Sequence, residues 1–214
     1  MNTHFFLFSG PPGAGKTTTS FLIAKAKKFV LYEADCHMIG LNPYIDTNGP
    51  EVLDAILTQK PLKDLTKERF MDSSNAMKTM KKLAMGQEFD EGEKELVKKL
   101  YKNMAEEILS EREKIGGNWI INHGVVNREF RDYIKSLMGP ELTFVTLSLD
   151  KEEQVKRIIK RNGDNQSLID LFTKVQSLYD SAGADEEQAF DILVSTEMKP
   201  EDVAEKIYQH CKIE

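Results

Sequence analysis

One short stretch near the N-terminus constrains the fold of this 214-residue chain more than any other, the segment SGPPGAGKTT at 9–18. It contains the spacing G-x-x-x-x-G-K-T and stands between an apolar run, FFLF, and a segment of helical character, TSFLIAKA. Glycines at this spacing let the backbone turn several N–H groups inward, and the start of a helix adds the positive end of its dipole. The stretch therefore predicts a phosphate-binding loop that joins a buried strand to a helix.

The predicted loop assigns a role to each of its polar groups. Lys16 supplies a full positive charge for the β- and γ-phosphates, and the hydroxyl of Thr17 is an expected ligand of Mg²⁺. The chain contains no N-K-x-D or T-K-x-D guanine-reading motif, which favours ATP as the nucleotide. The residues expected to bind it in the loop are Gly13, Ala14, Gly15, Lys16, Thr17 and Thr18.

Apolar runs that favour strands alternate with helical patterns along the rest of the chain. The five predicted strands are 4–8, 28–35, 117–124, 142–149 and 190–196. This alternation predicts an α/β fold of the three-layer P-loop NTPase type, with a five-stranded parallel sheet and helices on both faces. No linker divides the chain, so residues 1–214 are expected to form a single domain.

An extra helical region is expected at about 50–116, after a turn-rich loop at 39–50. Within it, residues 91–115 carry leucine, methionine and isoleucine side chains at four-residue intervals between charged residues, which indicates an amphipathic helix. A second polar segment, NGDNQ at 162–166, lies between two helical patterns. It is expected to form part of a lid at about 161–167.

Composition limits the partners and the compartment. The net charge of −6 argues against nucleic acid as a main ligand, and no apolar run approaches the roughly 20 residues that span a bilayer. The two cysteines, Cys36 and Cys211, have no metal-binding or redox spacing. We therefore expect a cytoplasmic monomer or homodimer that acts on a small molecule, without a nucleic-acid or membrane partner.

Two other classes of nucleotide-binding protein fit poorly. The letters DTNG at 46–49 match the D-x-x-G of a GTPase switch but lie in the turn-rich loop. The strand WIIN ends in Asn122 rather than in the acidic residue of a motor ATPase, and Asp150 is expected to form a helix capping box with Glu153.

A small kinase needs fewer parts, and the chain has candidates for each. Asp35 follows the second predicted strand, at the edge where parallel sheets bind ligands. Arg157 and Arg161 share one helix face that runs into the predicted lid, and His37 and His123 both follow strand ends. The alternative for the two arginines is a solvated basic face paired with Glu153.

Four stretches resemble the small P-loop kinases that include gluconate, shikimate and adenylate kinases, and gluconate kinases most of all. They are SGPPGAGKTTT at 9–19, YEADCH at 32–37, KPLKDLTKERF at 60–70, and NREFRDYI at 127–134 followed by FVTLSLDKEEQVKRIIKRNG at 144–163. The resemblance covers most of the chain except about 73–116. The part of the chain expected to bind the acceptor departs from the family. HGVV at 123–126 replaces the family's CSAL, and KERF at 67–70 replaces its D-R-x-P-W.

The resemblance implies a role for each candidate residue. Lys16 and Thr17 would hold ATP and Mg²⁺, and Asp35 would activate the acceptor hydroxyl. Arg131 would reach the acceptor or the transferred phosphoryl, Arg157 would lie near the adenine, and Arg161 would enter from the lid. The residues expected to be catalytic are Lys16, Asp35, Arg131 and Arg161, and those expected to bind the acceptor are Asp35, His37, Arg69, His123 and Arg131.

The expected activity is transfer of the γ-phosphoryl of ATP to a hydroxyl of a small, sugar acid-like metabolite. Two alternatives stay open at this point: a nucleoside or nucleoside monophosphate kinase of the same fold, and an ATP-binding regulatory module without catalysis. The presence of both Asp35 and Arg161 counts against the regulatory module.

Overall fold

The structure is a computed structural model, and it describes most of the chain outside the region 49–81. The described residues are 4–38, 42–48, 82, 87, 89–125, 127–176, 179, 183, 185–186, 189–195 and 198–211. Arg69 and most of the helical region expected at 50–116 lie outside them.

In the described part of the chain, six strands form one mixed sheet in the order β3-β2-β4-β1-β5-β6. Their bounds are β1 Phe5–Ser9, β2 Val30–Glu33, β3 Tyr44–Ile45, β4 Trp119–Asn122, β5 Leu142–Ser148 and β6 Ala189–Leu193. The pairs β2–β4, β4–β1, β1–β5 and β5–β6 are parallel, and β1 lies between β4 and β5. The carboxyl ends of β1, β2 and β4 therefore meet at one edge of the sheet.

The expectation of a five-stranded, all-parallel sheet is wrong in its count. The five predicted strands are present, but Tyr44 and Ile45 add an antiparallel edge strand opposite Tyr32 and Leu31. These two residues lie in the stretch that we expected to be a loop throughout. An aromatic and a β-branched side chain suit a strand, and Ile45 is buried by the pairing.

Seven helices are described, and they cover both faces of the sheet. Their bounds are α1 Lys16–Lys27, α2 Ala34–Met38, α3 Glu91–Ile115, α4 Arg128–Met138, α5 Lys151–Asn162, α6 Gln166–Gln176 and α7 Pro200–Cys211. Among the described residues, no helix is both long enough and apolar enough to cross a bilayer.

The alternation of side chains along the strands explains the three layers. Phe5 and Leu7 of β1 belong to a buried cluster with α3 and α4, whereas Phe6 and Phe8 belong to a second cluster with α1 and α7. The amphipathic helix predicted at 91–115 is confirmed as α3, which buries one face, including Met104, against the first cluster.

The helices α3 and α5 both begin after an aspartate, but only the aspartate before α3 forms a side-chain capping bond. At α3, the Asp90 carboxylate accepts the N–H of Glu93 at 2.9 Å and the Glu93 carboxylate accepts the N–H of Asp90 at 3.0 Å, a complete capping box. At α5, Asp150 occupies the cap position without a side-chain capping bond. The capping box predicted there is wrong, because the Glu153 carboxylate bonds the Nε of Arg157 at 2.6 Å instead.

This difference should be measurable in stability. Asp90→Ala removes a capping bond, so we expect it to lower the free energy of unfolding by about 1 kcal/mol in urea denaturation. Asp150→Ala is the matched control and should cost less than half as much. Equal losses in the two variants would contradict the capping assignment.

Candidate active site

The phosphate loop runs from the end of β1 to the start of α1, in the context predicted. Gly10 has φ of 127°, and a Cβ built on it would collide with the carbonyl oxygen of Leu147. Gly15, the residue before α1, has φ of 89°. Both positions therefore require glycine, one because of the close approach of β5 and the other because of its left-handed backbone.

Lys16 is half-buried and folds back over this loop. Its ammonium donates to the carbonyl oxygens of Gly10 at 2.7 Å and Pro11 at 3.2 Å. Burial lowers the pKa of Lys16, and the charges of Asp35 and Glu33 partly offset that effect. The ammonium is thus the positive centre of the loop and lies within electrostatic reach of two carboxylates.

Helix α5 is attached to the same loop by two polar side chains. Arg157 donates from Nη1 to the carbonyl of Gly13 at 3.3 Å, while its Nε is paired with Glu153. Gln154 donates its amide to the carbonyls of Pro12 at 3.0 Å and Phe172 at 3.1 Å. Sequence reasoning missed Gln154; its only signal was a polar side chain on the face of the helix that turned out to be buried.

Arg161 lies one turn beyond Arg157 on α5 and is exposed. Its positive charge nevertheless contributes to the lowered pKa of Lys16. Arg161 is therefore a cation near the phosphate loop that no described ion pair neutralises. The other loop residues differ in exposure: Ala14 is buried, Thr17 is half-buried and Thr18 is exposed.

The structure brings Asp35 and His123 together at the carboxyl edge of the sheet. Asp35 lies in the first turn of α2, its side chain 77% exposed, and an oxygen of its carboxylate is 3.6 Å from Nδ1 of His123. Nε2 of the same imidazole lies 3.2 Å from the hydroxyl of Tyr101 on α3. The histidine therefore bridges the exposed carboxylate and a buried phenol.

The pKa of Asp35 is lowered, although desolvation by the surrounding protein acts in the opposite direction. Desolvation would raise the pKa of this largely exposed carboxylate, but the interaction with His123 and the positive charge of Lys16 outweigh that effect. Asp35 is thus ionised at neutral pH, as a group that orients a hydroxyl or receives its proton must be.

Two other predicted site residues pair with carboxylates. His37 is buried, and its Nδ1 lies 3.0 Å from the carboxylate of Glu107 on α3. Arg131 is only 2% exposed and forms a two-bond ion pair with Glu186. Arg69 lies outside the described residues. The described partners of His37 and Arg131 are thus Glu107 and Glu186, and their contact with the acceptor stays a prediction.

A buried carboxylate that sequence reasoning did not single out lies beside Asp35. Glu33, the last residue of β2, is 7% exposed, and its Oε2 accepts a hydrogen bond from the amide of Asn122 at 3.2 Å. The same amide donates to the hydroxyl of Ser20 at 2.7 Å. The available signal was the spacing Glu33-Ala34-Asp35 at a strand end, which places two carboxylates together.

The oxygens of Thr17, Glu33 and Asp35 suit Mg²⁺, which prefers carboxylate, hydroxyl and water ligands. The charges of Glu33 and Asp35 act on the ammonium of Lys16, and Thr17 is the next residue along the chain. The donor chemistry of this edge therefore fits a magnesium–nucleotide complex.

Glu33 should make stability depend on pH. Burial and the charge of Asp35 raise the pKa of Glu33 to about 7 from an ordinary 4.5. Between these values the folded state retains a proton that the unfolded state has released, so stability falls as pH rises through this window and stays lower above it. Glu33→Gln mimics the protonated form and should stabilise the protein at pH 8 by up to about 3 kcal/mol.

The measurement is urea denaturation with EDTA at pH 4.5 and pH 8, comparing Glu33→Gln with wild type. Glu106→Gln, an exposed substitution on α3, is the matched control and should show no such gain. A Glu33→Gln variant that is no more stable than wild type at pH 8 would contradict the raised pKa.

Comparison with known proteins gives a fold. No protein-family model matches the chain, and no curated protein sequence matches it. Among solved structures, a sugar kinase of a Janibacter species has a TM-score of 0.62 and 18% identity over 99% of this chain and 96% of that one. A gluconokinase of Sinorhizobium meliloti has a TM-score of 0.54 and 16% identity over 97% of both chains.

The chain has the fold of these small kinases. TT1252 from Thermus thermophilus, with a TM-score of 0.56 and 10% identity over the full length of both chains, shares it. At these identities the likeness establishes the kinase fold alone. The resemblance found in the sequence is thus confirmed in architecture, and the chemistry rests on the residues at the sheet edge.

Proposed function

We propose that the protein is an ATP-dependent phosphotransferase that moves the γ-phosphoryl group of ATP to a hydroxyl of a small metabolite. One observation carries the proposal: an exposed, ionised carboxylate, Asp35, lies within electrostatic reach of the phosphate-loop ammonium of Lys16 and beside His123. A protein that only binds nucleotide needs Lys16 and ligands for Mg²⁺, whereas phosphoryl transfer also needs an ionised group that the acceptor can reach, and the Asp35 side chain is exposed.

The reaction uses these groups in order. The backbone of the loop and Lys16 bind the β- and γ-phosphates, and Lys16 and Arg161 spread the negative charge that develops during transfer. Bound Mg²⁺, held by Thr17 and by Glu33 or Asp35 directly or through water, would neutralise phosphate charge. Arg157, anchored at Gly13, lies where it supports the nucleotide side of the loop.

On the acceptor side, Asp35 orients the attacking hydroxyl and receives its proton. The acceptor oxygen forms a bond to the γ-phosphorus as the bond from that phosphorus to the bridging oxygen of ADP breaks, and the proton passes from Asp35 to solvent. His123, supported by Tyr101, keeps the Asp35 carboxylate in place and ionised.

The acceptor class follows from the hydrogen-bonding groups at the edge and from the names of two structural neighbours, a sugar kinase and a gluconokinase. A carboxylate, an imidazole and a phenol are partners for hydroxyl groups. We therefore propose a polyol, sugar or sugar acid as the acceptor, in a cytoplasmic enzyme that is a monomer or homodimer. The role of Arg69 as an acceptor ligand is proposed on the sequence resemblance alone.

The test is ADP release with Mg·ATP and a panel of sugars, polyols, sugar acids, nucleosides and nucleoside monophosphates. ATP hydrolysis without acceptor is the background. We expect turnover above background with members of the first three classes. Turnover with nucleosides or nucleoside monophosphates alone would favour a nucleoside or nucleoside monophosphate kinase. ATP binding without turnover on any acceptor would instead favour an ATP-binding regulatory module without catalysis.

A further inference from the structure

A tyrosine that no motif points to lies at the acceptor side of the edge. Tyr179, between α6 and β6, is half-buried, and its hydroxyl is so close to Gly124 that a Cβ built there would lie 2.5 Å from the hydroxyl oxygen. Gly124 directly follows His123, the partner of Asp35. The hydroxyl of Tyr179 therefore lies over the chain segment that leads away from the Asp35–His123 pair.

Electrostatics place the same phenol near Asp35. Burial and the negative charge of Asp35 both raise the pKa of Tyr179 above its ordinary range. Burial, Tyr179 and the charge of Asp35 likewise raise the pKa of Tyr101. Both phenols thus stay protonated at neutral pH and can act as hydrogen-bond donors beside the carboxylate.

Further residues of the chain between α6 and β6 bond to helix α4. Arg131 donates from Nε to Glu186 at 2.8 Å and from Nη2 at 2.7 Å, with both side chains buried. Glu186 also accepts the N–H of Gly183 at 2.8 Å, and Asp185 pairs with Arg128 at 3.0 Å. We call Tyr179, Gly183, Asp185 and Glu186 the strap.

The strap contacts the chain after β4 at two places. Tyr179 contacts Gly124, and Glu186 contacts Arg131, which lies seven residues later in the first turns of α4. A buried, two-bond ion pair is costly to open, because either partner would be left as an uncompensated charge. The Arg131–Glu186 pair therefore fixes Glu186, seven residues after Tyr179 in the chain, to the helix that follows the segment carrying His123.

We propose that Tyr179 is a specificity-determining residue of the acceptor site, donating its phenol hydroxyl to a second hydroxyl of the acceptor, and that Arg131 and Glu186 are positioning residues that hold it there. The inference rests on the proposed function. It assigns Arg131 an indirect role, through the strap, in place of the direct contact that the resemblance implied.

The first test is kinetic and uses the panel acceptor that wild type turns over fastest. Tyr179→Phe should raise KM for that acceptor about 5- to 30-fold, the loss of one hydrogen bond, and leave KM for ATP within about twofold. Tyr208→Phe, on α7 beside Lys27, is the matched control and should leave both constants unchanged. An acceptor KM in Tyr179→Phe equal to that of the control would overturn the proposal.

A double-mutant cycle tests the geometry. A Cβ at Gly124 would be too close to the Tyr179 hydroxyl oxygen but 3.7 Å from the ring carbon that carries it, which is ordinary contact. Gly124→Ala should therefore raise the acceptor KM in the wild-type background and add little in the Tyr179→Phe background. Equal effects in the two backgrounds would contradict the placement of Tyr179.

The positioning role has its own cycle. Glu186→Gln keeps the volume of the side chain but weakens the pair with Arg131, and it should raise the acceptor KM in wild type and not in Tyr179→Phe. Circular dichroism and urea denaturation midpoints establish that each variant is folded. If Glu186→Gln does not fold, Asp185→Asn takes its place in the cycle. If Glu186→Gln lowers kcat but leaves both the KM for ATP and the KM for the acceptor unchanged, the positioning role is overturned.

These outcomes are separable from the proposed function. If wild type turns over no acceptor in the panel, both proposals fail together. If wild type is active and Tyr179→Phe behaves like Tyr208→Phe, only the inference about Tyr179 fails.

Discussion

Lys16→Ala is expected to abolish acceptor-dependent ADP release, with a loss of kcat/KM of at least about 10³-fold. In the proposed reaction the substitution removes the charge that neutralises the transferred phosphoryl group, and it removes the two hydrogen bonds to the carbonyls of Gly10 and Pro11. Nucleotide binding should weaken as well, because the same ammonium is the positive centre of the loop. The measurement is steady-state kinetics with the best acceptor, together with calorimetric titration of Mg·ATP.

The control is Lys206→Ala, an exposed lysine on α7, which should behave as wild type. Because the Lys16 side chain also braces the loop, circular dichroism and a Lys16→Met variant of similar volume establish that the loss is chemical rather than structural. A Lys16→Met enzyme with more than about a tenth of wild-type activity would refute the role assigned to the ammonium.

Asp35→Asn is expected to lower kcat by about 10²-fold or more and to leave KM for ATP nearly unchanged. The amide keeps the size of the side chain but cannot take up the proton of the acceptor hydroxyl. It also removes the negative charge that faces Lys16 and His123. Loss of kcat with retained ATP binding would separate a group that acts on the acceptor from one that holds the nucleotide.

Asp46→Asn provides the comparison for this substitution. Asp46 is exposed, and its Oδ1 accepts hydrogen bonds from Asn48 that an amide oxygen can still accept. It should retain wild-type kinetics. Wild-type kcat in Asp35→Asn would show that the carboxylate only caps the start of α2.

Local patterns were sufficient to predict the phosphate loop and the parallel strands. The phosphate loop is a contiguous segment whose glycine spacing and flanking elements are all visible in the sequence, and the five parallel strands are short apolar runs bounded by turns. The edge strand at Tyr44 and Ile45 escaped prediction because two residues are too few to show a periodicity, and only pairing with β2 makes them a strand.

The acceptor side depended on information that a single sequence lacks. We placed Asp35 and His37 together at a strand end, but they lie on the short helix α2, where residues two apart point about 200° away from each other. Asp35 consequently pairs with His123, and His37 pairs with Glu107 on α3. The partner of Arg131 is 55 positions away in the chain, a distance over which no local pattern identifies Glu186.

The amide of Gln154 has a mechanical consequence for the lid expected at 161–167. By bonding Pro12 and Phe172 together, and with Arg157 bonded to Gly13, it joins the phosphate loop, the first turns of α5 and the second half of α6 into one unit. In the part of the chain that the structure describes, these bonds lie on either side of the stretch from Arg157 to Phe172, and the left-handed Gly163 would be the point about which the expected lid bends. Closure over bound nucleotide would then be a short flexing motion that carries Arg161 inward, rather than a swing of the whole helical pair.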